Sequence, residues 1–255
     1  MKKMIHPLLF ALVLFCLPVL CFADNAALMK QADALFSYDG PMDNYKKSID
    51  LYKQVLASDP SNFEANWKCA RSIRYYANKA QQTNVKDWKK ICATMGKEGM
   101  SYAQKAIDLN PKKPDGYYYY GVNVGIYADG VSIVKALKEG LKDKTQKSFE
   151  KTIALDKSYE DYAGLIGLGR FWSVLPWPLA DKKKALSYFR EYQKTKYFGS
   201  QPEGVVYLAE LLIDMGGKEN KEEAKQLLSG LKTTNAFFKK QAKDLLRKWK
   251  HGDDH

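Results

Sequence analysis

The chain has 255 residues, with 41 lysines and arginines against 29 acidic residues and a formal net charge of +12. Its three histidines are His6, His251 and His255, so the body of the chain has no imidazole. This excludes a Ser-His-Asp or Cys-His nucleophile and a histidine-ligated metal from the body. The length suits one large domain or one repeat array. The positive charge favours acidic partners, such as anionic ligands, acidic protein faces or anionic lipid.

The N-terminal segment has the three parts of a bacterial secretory signal. Two lysines begin it, an apolar stretch covers residues 8–20, and Ala23 is a small residue at the expected cleavage point. The apolar run is shorter than the ~20 residues of a spanning helix, and Pro18 interrupts it. These features favour a cleaved signal over a membrane anchor. We therefore predict a signal peptide over residues 1–23 and a periplasmic chain that does not meet nucleic acid.

Lipidation of Cys16 or Cys21 is the alternative fate of this segment. The residues before them, Phe15 and Leu20, are large, whereas lipoprotein signals prefer a small residue there. Lipid anchoring therefore ranks second to simple cleavage. Removal of residues 1–23 leaves 39 basic and 29 acidic residues and a net charge of +10.

The rest of the chain shows helical spacing of apolar residues and no strand pattern. Three segments close a helix and open a turn with similar residues, at 55–60, 106–111 and 152–157. They resemble the end of a tetratricopeptide (TPR) repeat, in which a proline-bearing turn follows the second helix. Large-then-small pairs such as Tyr120-Gly121 and Leu168-Gly169 indicate first helices that approach a neighbour closely.

The predicted fold is an all-α, TPR-like solenoid of helical hairpins over residues 24–250, followed by a polar tail over residues 251–255. Five irregular helix pairs are expected, over residues 25–60, 61–111, 112–157, 158–199 and 201–231. A final amphipathic helix over residues 235–250, with Trp249 on its apolar stripe, is interpreted as the cap that a solenoid needs. A basic helix of this kind lying on a membrane is the alternative.

Two insertions interrupt the repeats, one over residues 128–141 in the third pair and one over residues 175–179 in the fourth. Insertions in a solenoid map to one face, which is often the face that binds.

The packing frame also predicts which side chains face the concave side. If Tyr120 and Gly121 form the packing pair, Tyr118 lies on that side, and the same frame places Glu210 there. The predicted ligand-binding or partner-binding residues are Trp67, Arg71, Arg74, Tyr118, Arg170 and Trp177. Aromatic rings with several guanidinium groups suit a small organic anion or an extended acidic peptide. Alternatively, the arginines pair with acidic residues such as Glu64 or Asp161.

Two further motifs have structural and functional interpretations. Cys69 and Cys92 fall on consecutive predicted helices, where they form either a disulfide or two small buried side chains. The glycine-rich string over residues 164–169 lacks the preceding strand that a phosphate loop requires, so close helix packing explains it better. No cofactor and no metal is predicted.

Several strings in a fixed order carry a resemblance to a known family. They cover residues 64–71, 116–129, 133–137, 149–151, 153–156, 168–171 and 175–179. Together they resemble the T-component (TatT-like) family of tripartite ATP-independent periplasmic (TRAP) transporters. The resemblance implies a periplasmic helical repeat protein, often lipid-anchored and sometimes a homo-oligomer. It also implies a periplasmic solute-binding protein as partner and a cavity open to ligand.

The strings over residues 67–71 and 168–170 are also similar to the eukaryotic regulators of microtubule dynamics, although the secretory signal argues against their cytosolic role. The sequence therefore predicts a non-catalytic transport accessory that docks a solute-binding protein or holds a small organic anion. The alternatives are an envelope-assembly scaffold that binds acidic protein partners and a hydrolase built on carboxylates.

Overall fold

The computed structural model describes the backbone of residues 16–252 and the side chains of residues 24–247. Within this range the chain forms twelve helices and no strand. Their bounds are α1 Cys16–Leu35, α2 Met42–Ser58, α3 Phe63–Gln82, α4 Trp88–Leu109, α5 Pro114–Val131, α6 Ile133–Lys138, α7 Leu141–Leu155, α8 Tyr159–Val174, α9 Lys182–Gln193, α10 Pro202–Met215, α11 Lys218–Ser229 and α12 Ala236–Gly252.

The helices pair as the sequence predicts. Hairpins form from α1 and α2, α3 and α4, α5 and α7, α8 and α9, and α10 and α11. The short helix α6 fills the insertion predicted in the third pair. The all-α solenoid of five irregular pairs and a terminal helix is therefore confirmed. Residues 1–15 of the predicted signal peptide and residues 253–255 of the predicted tail lie outside the described residues, and cleavage stays a prediction.

Local sequence sets where the helices begin. The Asn62 side chain accepts a hydrogen bond from the Ala65 amide at 2.9 Å and caps α3, which satisfies one of its unpaired amides. Pro114 and Pro202 occupy the first positions of α5 and α10, where a missing N–H costs nothing. The Asp181 side chain caps α9 in the same way as Asn62 caps α3.

Helices α4 and α5 touch backbone to backbone because glycines lie at their contact. A Cβ on Gly96 would stand 2.6 Å from the Tyr127 amide nitrogen, and one on Gly130 would stand 2.3 Å from the Ala93 amide nitrogen. The buried Asn123 side chain on α5 donates to the Ala70 carbonyl at 3.1 Å and thereby ties α5 to α3. These three helices form the tightest part of the array.

The last helix, α12, closes the apolar end of the array. Phe238 and Ala242 are buried in one cluster with Leu208 of α10 and Leu228 of α11. This placement agrees with a capping helix and leaves no free apolar stripe over its described part. The side chain of Trp249 lies outside the described residues. No helix within residues 16–252 is both long enough and apolar enough to cross a membrane.

The solenoid curls far enough for its two ends to meet. The Tyr38 hydroxyl, just after α1, donates to Glu160 at 2.7 Å. The Asn235 amide, just before α12, donates to Asp39 at 3.3 Å. The concave side is therefore enclosed by the α1–α2 turn, the start of α8 and the segment before α12.

Candidate ligand cavities on the concave face

The curled array encloses two adjoining cavities. Cavity I has a volume of about 340 Å³ and lies among α3, α5, α6, α7, α8, α10 and α12. Cavity II has a volume of about 390 Å³ and lies beside the α1–α2 turn and the segment before α12. Seven residues line both, namely Arg74, Asn78, Gln82, Tyr118, Gln201, Glu203 and Phe238. Both volumes are of the size that holds small organic molecules.

Cavity I has one apolar wall and one polar wall. The apolar wall comes from α6 to α8 and includes Ile133, Leu137, Leu141, Phe149, Ile166 and Phe171. The polar wall comes mainly from α3, α5 and α8 and includes Arg74, Asn78, Gln81, Asp129 and Arg170. A ligand that fills this space needs an apolar body and a polar group at one end.

An ion pair separates the two cavities. The Arg74 guanidinium donates to the Glu203 carboxylate at 3.2 Å, and both side chains are largely buried. The guanidinium carbon also lies 4.5 Å from the centre of the Tyr75 ring, which adds a cation–π contact. Arg74 uses one of its five N–H donors on Glu203, so others remain available to a ligand.

Arg170 is the second cation of cavity I. Its Nη1 donates to Glu210 at 2.9 Å, and its guanidinium carbon lies 4.3 Å from the centre of the Tyr207 ring. About one third of the side chain is exposed. Burial, followed by the negative charge of Glu203, raises the pKa of Tyr207 to about 12, so this phenol stays protonated. Arg170 therefore presents a positive charge to the cavity beside a neutral aromatic ring.

Asp129 lies at the polar wall near both arginines. Its side chain is exposed to the space of the cavity, and desolvation by the surrounding protein raises the pKa of its carboxyl above the ordinary 3.8. A hydrogen bond from Gln81 and the charges of Arg170 and Arg74 oppose the rise. The ionised Asp129 therefore competes with any anionic ligand for the same two guanidinium groups.

Cavity II has the opposite charge balance. Four carboxylates and two cations line it, and both cations are paired, Lys79 with Asp39 and Arg74 with Glu203. Glu160 accepts hydrogen bonds from the hydroxyls of Tyr38 at 2.7 Å and Tyr119 at 3.3 Å. Cavity I, by contrast, has three cations and two carboxylates. An anion is therefore favoured in cavity I over cavity II.

The backbone at Glu160 is strained. Glu160, Asp161 and Tyr162 have φ values of 47°, 57° and 65°, in the left-handed region that L-residues other than Asn and Asp rarely adopt. The Gln201 side chain donates to the Glu160 carbonyl at 2.6 Å and helps to hold this conformation. Strain of this kind persists where the surrounding structure over-determines it, and it clusters at binding sites.

Three of the six residues predicted for the concave face meet there. Arg74 and Tyr118 line both cavities, and Arg170 lines cavity I. The arginines are paired with acidic residues, as the alternative interpretation required, but the partners are Glu203 and Glu210. The suggested partner Glu64 instead binds Lys68 at 3.0 Å.

Trp67 and Arg71 line neither cavity. The Trp67 ring stacks on Tyr119, with centroids 5.8 Å apart. The Arg71 guanidinium lies over Phe36 at 3.7 Å and near Asp33 at 3.9 Å. Both side chains pack between the first helix pairs and contribute to neither cavity, and their predicted role in binding a partner stays a prediction. Tyr119 of α5 packs on Trp67, and Phe36 of the turn after α1 packs on Arg71.

Trp177 also lies away from both cavities. It stands on the loop between α8 and α9, with 91% of its side chain exposed. The Trp177 side chain therefore lines neither cavity, whereas Leu175 of the same insertion is buried and lines cavity I.

The two cysteines are free thiols in separate apolar clusters. Cys69 packs with Ile49 and Tyr52, whereas Cys92 donates to the Ala77 carbonyl at 3.5 Å. Ala77 lies eight residues beyond Cys69 on the same helix, about 12 Å along its axis. A disulfide needs Cα atoms within about 7 Å, so the candidate bond does not form and the alternative of two small buried side chains applies.

We expect both thiols to resist modification in the folded chain. Burial raises the pKa of Cys92 to about 12 and also raises that of Cys69, so neither supplies a thiolate near neutral pH. In a chain beginning at Asp24, a disulfide reagent at pH 8 should label no thiol until the protein is unfolded and two thereafter. Rapid labelling of the native protein, or fewer than two thiols after unfolding without reductant, would contradict this.

Several residues that line the cavities could not be predicted from the sequence. Asp129 belongs to an insertion and Glu160 to a turn. Neither segment shows a helical period in the sequence, so the sequence does not predict that these side chains face the cavities. Glu203 lies two turns before Glu210 on α10, and the packing frame that identified Glu210 extends to it. Within the described residues no group of three or more His, Cys, Asp or Glu side chains is arranged to hold a metal ion.

Comparisons with known proteins agree with the repeat fold. The sequence profile of the family described as regulator of microtubule dynamics protein 1-3 matches residues 28–172. A thermophilic TPR protein of Thermus thermophilus superposes with a TM-score of 0.62 at 13% identity, covering 87% of this chain and 98% of its own. The MamA protein superposes with a TM-score of 0.50 at 15% identity, covering 89% of this chain and 94% of its own.

At these identities the two superpositions concern the fold alone. They show that the chain has a TPR-like fold. A search of curated proteins returned no match.

Proposed function

This chain belongs to the regulator of microtubule dynamics protein 1-3 family, and on that premise we propose that it is a non-catalytic binding protein whose cavity I holds a small organic anion. The observation that carries this is the composition of cavity I, in which Arg74 and Arg170 face an apolar wall. Neither guanidinium is saturated by its acidic partner, so each retains donors for a carboxylate or sulfonate. The apolar wall would hold the rest of the molecule.

The N-terminal sequence supports an exported location for this binding protein. A secretory signal over residues 1–23 would deliver the chain to the periplasm, where it would not meet cytosolic filaments. We therefore propose that this chain shares the repeat fold of the family but does not bind microtubules. The resemblance to TRAP T-components supports a periplasmic solute-binding protein as the docking partner and transport of the bound anion as the process.

The charge of cavity I can be tested by exchanging Arg170. We expect Arg170→Gln to weaken the binding of short alkyl carboxylates and sulfonates by about 10- to 100-fold, as expected when a hydrogen bond to a charged group is lost. Isothermal titration calorimetry with the purified chain measures this. The corresponding neutral amides should bind more weakly than the acids to the unchanged protein.

Arg190 provides the matched control. It forms the same kind of bridge, with Nη2 of Arg190 and Glu223 2.6 Å apart, and its side chain has the same 35% exposure as that of Arg170. It lines neither cavity. Arg190→Gln should leave anion affinity unchanged. Equal effects of the two exchanges, or binding of amides as tight as that of acids, would refute an anion site in cavity I.

Anion binding should strengthen as the pH falls. Because desolvation in the cavity raises the pKa of Asp129, its carboxyl takes up a proton at a higher pH than an ordinary aspartate does. Protonation removes the negative charge that competes for Arg74 and Arg170, so affinity should rise as the pH falls through this raised pKa. An interaction worth one pKa unit changes affinity about tenfold.

An alkylsulfonate is the suitable probe of this pH dependence because it stays ionised throughout. Asp129→Asn should raise its affinity at neutral pH and flatten the dependence on pH. A dependence that persists unchanged in Asp129→Asn would assign it to another group.

Docking of a solute-binding protein is tested by co-purification from a periplasmic extract on the immobilised chain. Recovery of a solute-binding protein, in an amount that changes when excess anion is added, would support the transport role. Recovery of envelope-assembly proteins through the basic outer face would instead favour the scaffold alternative. Gene neighbourhood offers an independent check, since permease and binding-protein genes would lie beside this one.

A further inference from the structure

Large apolar side chains that stand exposed cluster at one edge of the array. Among the described residues, four large hydrophobic side chains are exposed, and three of them lie at this edge. They are Trp177 at 91%, Val134 at 53% and Leu179 at 41%. Single exposed apolar residues are ordinary on a protein surface, whereas three at one end of the array call for an explanation.

Helix direction brings these residues together. Helices α5 and α8 end at this edge and α7 and α9 begin there, so α6 and the α8–α9 loop lie at the same end of the array. Ile133 and Leu137 of α6 and Leu175 of the loop line the same cavity I. At this end α7, α8 and α9 meet around the Trp172 ring, over which lie two ammonium groups, that of Lys142 at 5.5 Å and that of Lys184 at 4.1 Å. We call residues 133–144 together with residues 174–184 the tryptophan–lysine edge.

The loop of this edge is held in shape without help from Trp177. Prolines flank the tryptophan on both sides. The Leu179 amide donates to the Pro176 carbonyl at 2.8 Å, and the Asp181 amide donates to the Trp172 carbonyl at 3.2 Å. The loop backbone is therefore fixed by its own hydrogen bonds while it presents the indole to solvent. Little conformational entropy remains to be lost when this indole binds something.

The charge of the edge is strongly positive. Its two segments contain seven lysines and three acidic residues, a net charge of +4. All three acidic residues are already engaged, Asp143 with Lys142 at 3.3 Å, Asp181 with the α9 amide of Lys184 at 2.9 Å and Glu139 with the Tyr127 hydroxyl at 2.8 Å. Four further lysines of the edge stand exposed to solvent, namely Lys135, Lys138, Lys144 and Lys183.

From this combination we infer that the tryptophan–lysine edge docks on the surface of an anionic lipid bilayer. Tryptophan prefers the membrane–water interface, where its ring is half in the apolar phase. Lysines beside it are attracted electrostatically to anionic headgroups. Trp177 lines neither cavity and is 91% exposed beside exposed lysines, a combination that suits a lipid surface better than an acidic protein, since a protein partner requires complementary shape. This docking does not depend on an anion in cavity I.

The test is co-sedimentation of the chain beginning at Asp24 with vesicles. Vesicles of phosphatidylcholine alone are compared with vesicles that contain about one third phosphatidylglycerol, in low and in high salt. We expect binding to the anionic vesicles only, with affinity falling as salt rises because surface charges are screened. Absence of binding to anionic vesicles, or equal binding to both kinds, would overturn the inference.

Two edge variants and one control locate the contact. Trp177→Ala should weaken vesicle binding about tenfold, in proportion to the apolar area that it removes. The triple exchange of Lys135, Lys138 and Lys183 to Ser should weaken it about a hundredfold. The matched control exchanges three exposed lysines elsewhere, Lys47, Lys105 and Lys112, and should bind as the unchanged chain does. All the exchanged side chains are exposed, so folding is expected to be unaffected and circular dichroism checks this.

The outcomes separate the candidate partners. Equal losses in the edge triple and the control triple would mean nonspecific attraction of a basic protein and would overturn the inference. A second result would also overturn the inference. If Trp177→Ala still bound vesicles but no longer captured a soluble acidic protein, the edge would be a protein interface. Quenching of tryptophan fluorescence by brominated lipid, lost in Trp177→Ala, would support it directly.

Discussion

Phe149→Ala is expected to lower the free energy of unfolding by about 3–5 kcal/mol, the range found when a buried phenylalanine is truncated to alanine. Phe149 of α7 is 4% exposed and lies between two glycines. A Cβ on Gly121 of α5 would stand 2.7 Å from its ring, and a Cβ on Gly167 of α8 would stand 2.6 Å from it. The ring therefore joins three helices, and its loss would enlarge cavity I.

Urea denaturation of the variant measures this loss, and a double exchange identifies its cause. Gly167→Ala alone should destabilise by about 1–3 kcal/mol, since the new methyl group meets the Phe149 ring. In the Phe149→Ala background the same exchange should cost little, because the ring is gone. A coupling of at least about 1 kcal/mol is expected between these contacting residues. Additive effects would show that Phe149 does not fill the space between the two glycines.

Gly130→Ala is expected to destabilise by about 2–3 kcal/mol, at the upper end of overpacking. The new Cβ on α5 would lie 2.3 Å from the Ala93 amide nitrogen and 2.5 Å from the Lys89 carbonyl oxygen. Both are backbone atoms of α4, so no side chain can rotate away and the two helices must separate. Thermal or urea denaturation provides the measurement.

Gly125 of the same helix is the control for this exchange. A Cβ there would meet nothing within 4 Å. Gly125→Ala should therefore stabilise the chain by about 0.5–1 kcal/mol through helix propensity alone. If both exchanges shifted stability in the same direction, the close contact of α4 and α5 would not be the reason for Gly130.

The sequence was sufficient to predict the helices and their pairing. Local signals such as the endings at residues 55–60 and the large-then-small pair at Tyr120-Gly121 depend on contacts between neighbours in the chain. A solenoid is made of such contacts, so its pairs can be read one at a time. Only the small helix α6 lacked a clear period, and it lies within a predicted insertion.

The cavities were only partly predictable because their shape depends on how successive helix pairs stack and curve. Arg74 and Arg71 lie one turn apart on α3, yet Arg74 reaches a cavity while Arg71 is held over Phe36 at 3.7 Å. The two arginines differ because different segments of the chain pack against them. Phe36 packs on Arg71, whereas Arg74 lies beside Glu203. Pairing of Arg74 with Glu203 depends on the curvature accumulated over four hairpins, which no local pattern encodes. Trp177 was misplaced because a loop without a period gives no facing direction.

The meeting of the two ends has a consequence for how the molecule folds and unfolds. An open repeat array unravels from its ends, because each repeat depends only on its neighbours. Here Tyr38 contacts Glu160, Arg74 contacts Glu203 and Asn235 contacts Asp39, pairs separated by 122, 129 and 196 positions. Such contacts form late, after most of the loop-closure entropy has been lost, and they raise the contact order of the chain. Melting of either end would therefore remove partners from the rest of the array, and we expect the helices to unfold as one cooperative unit with a fixed number of repeats.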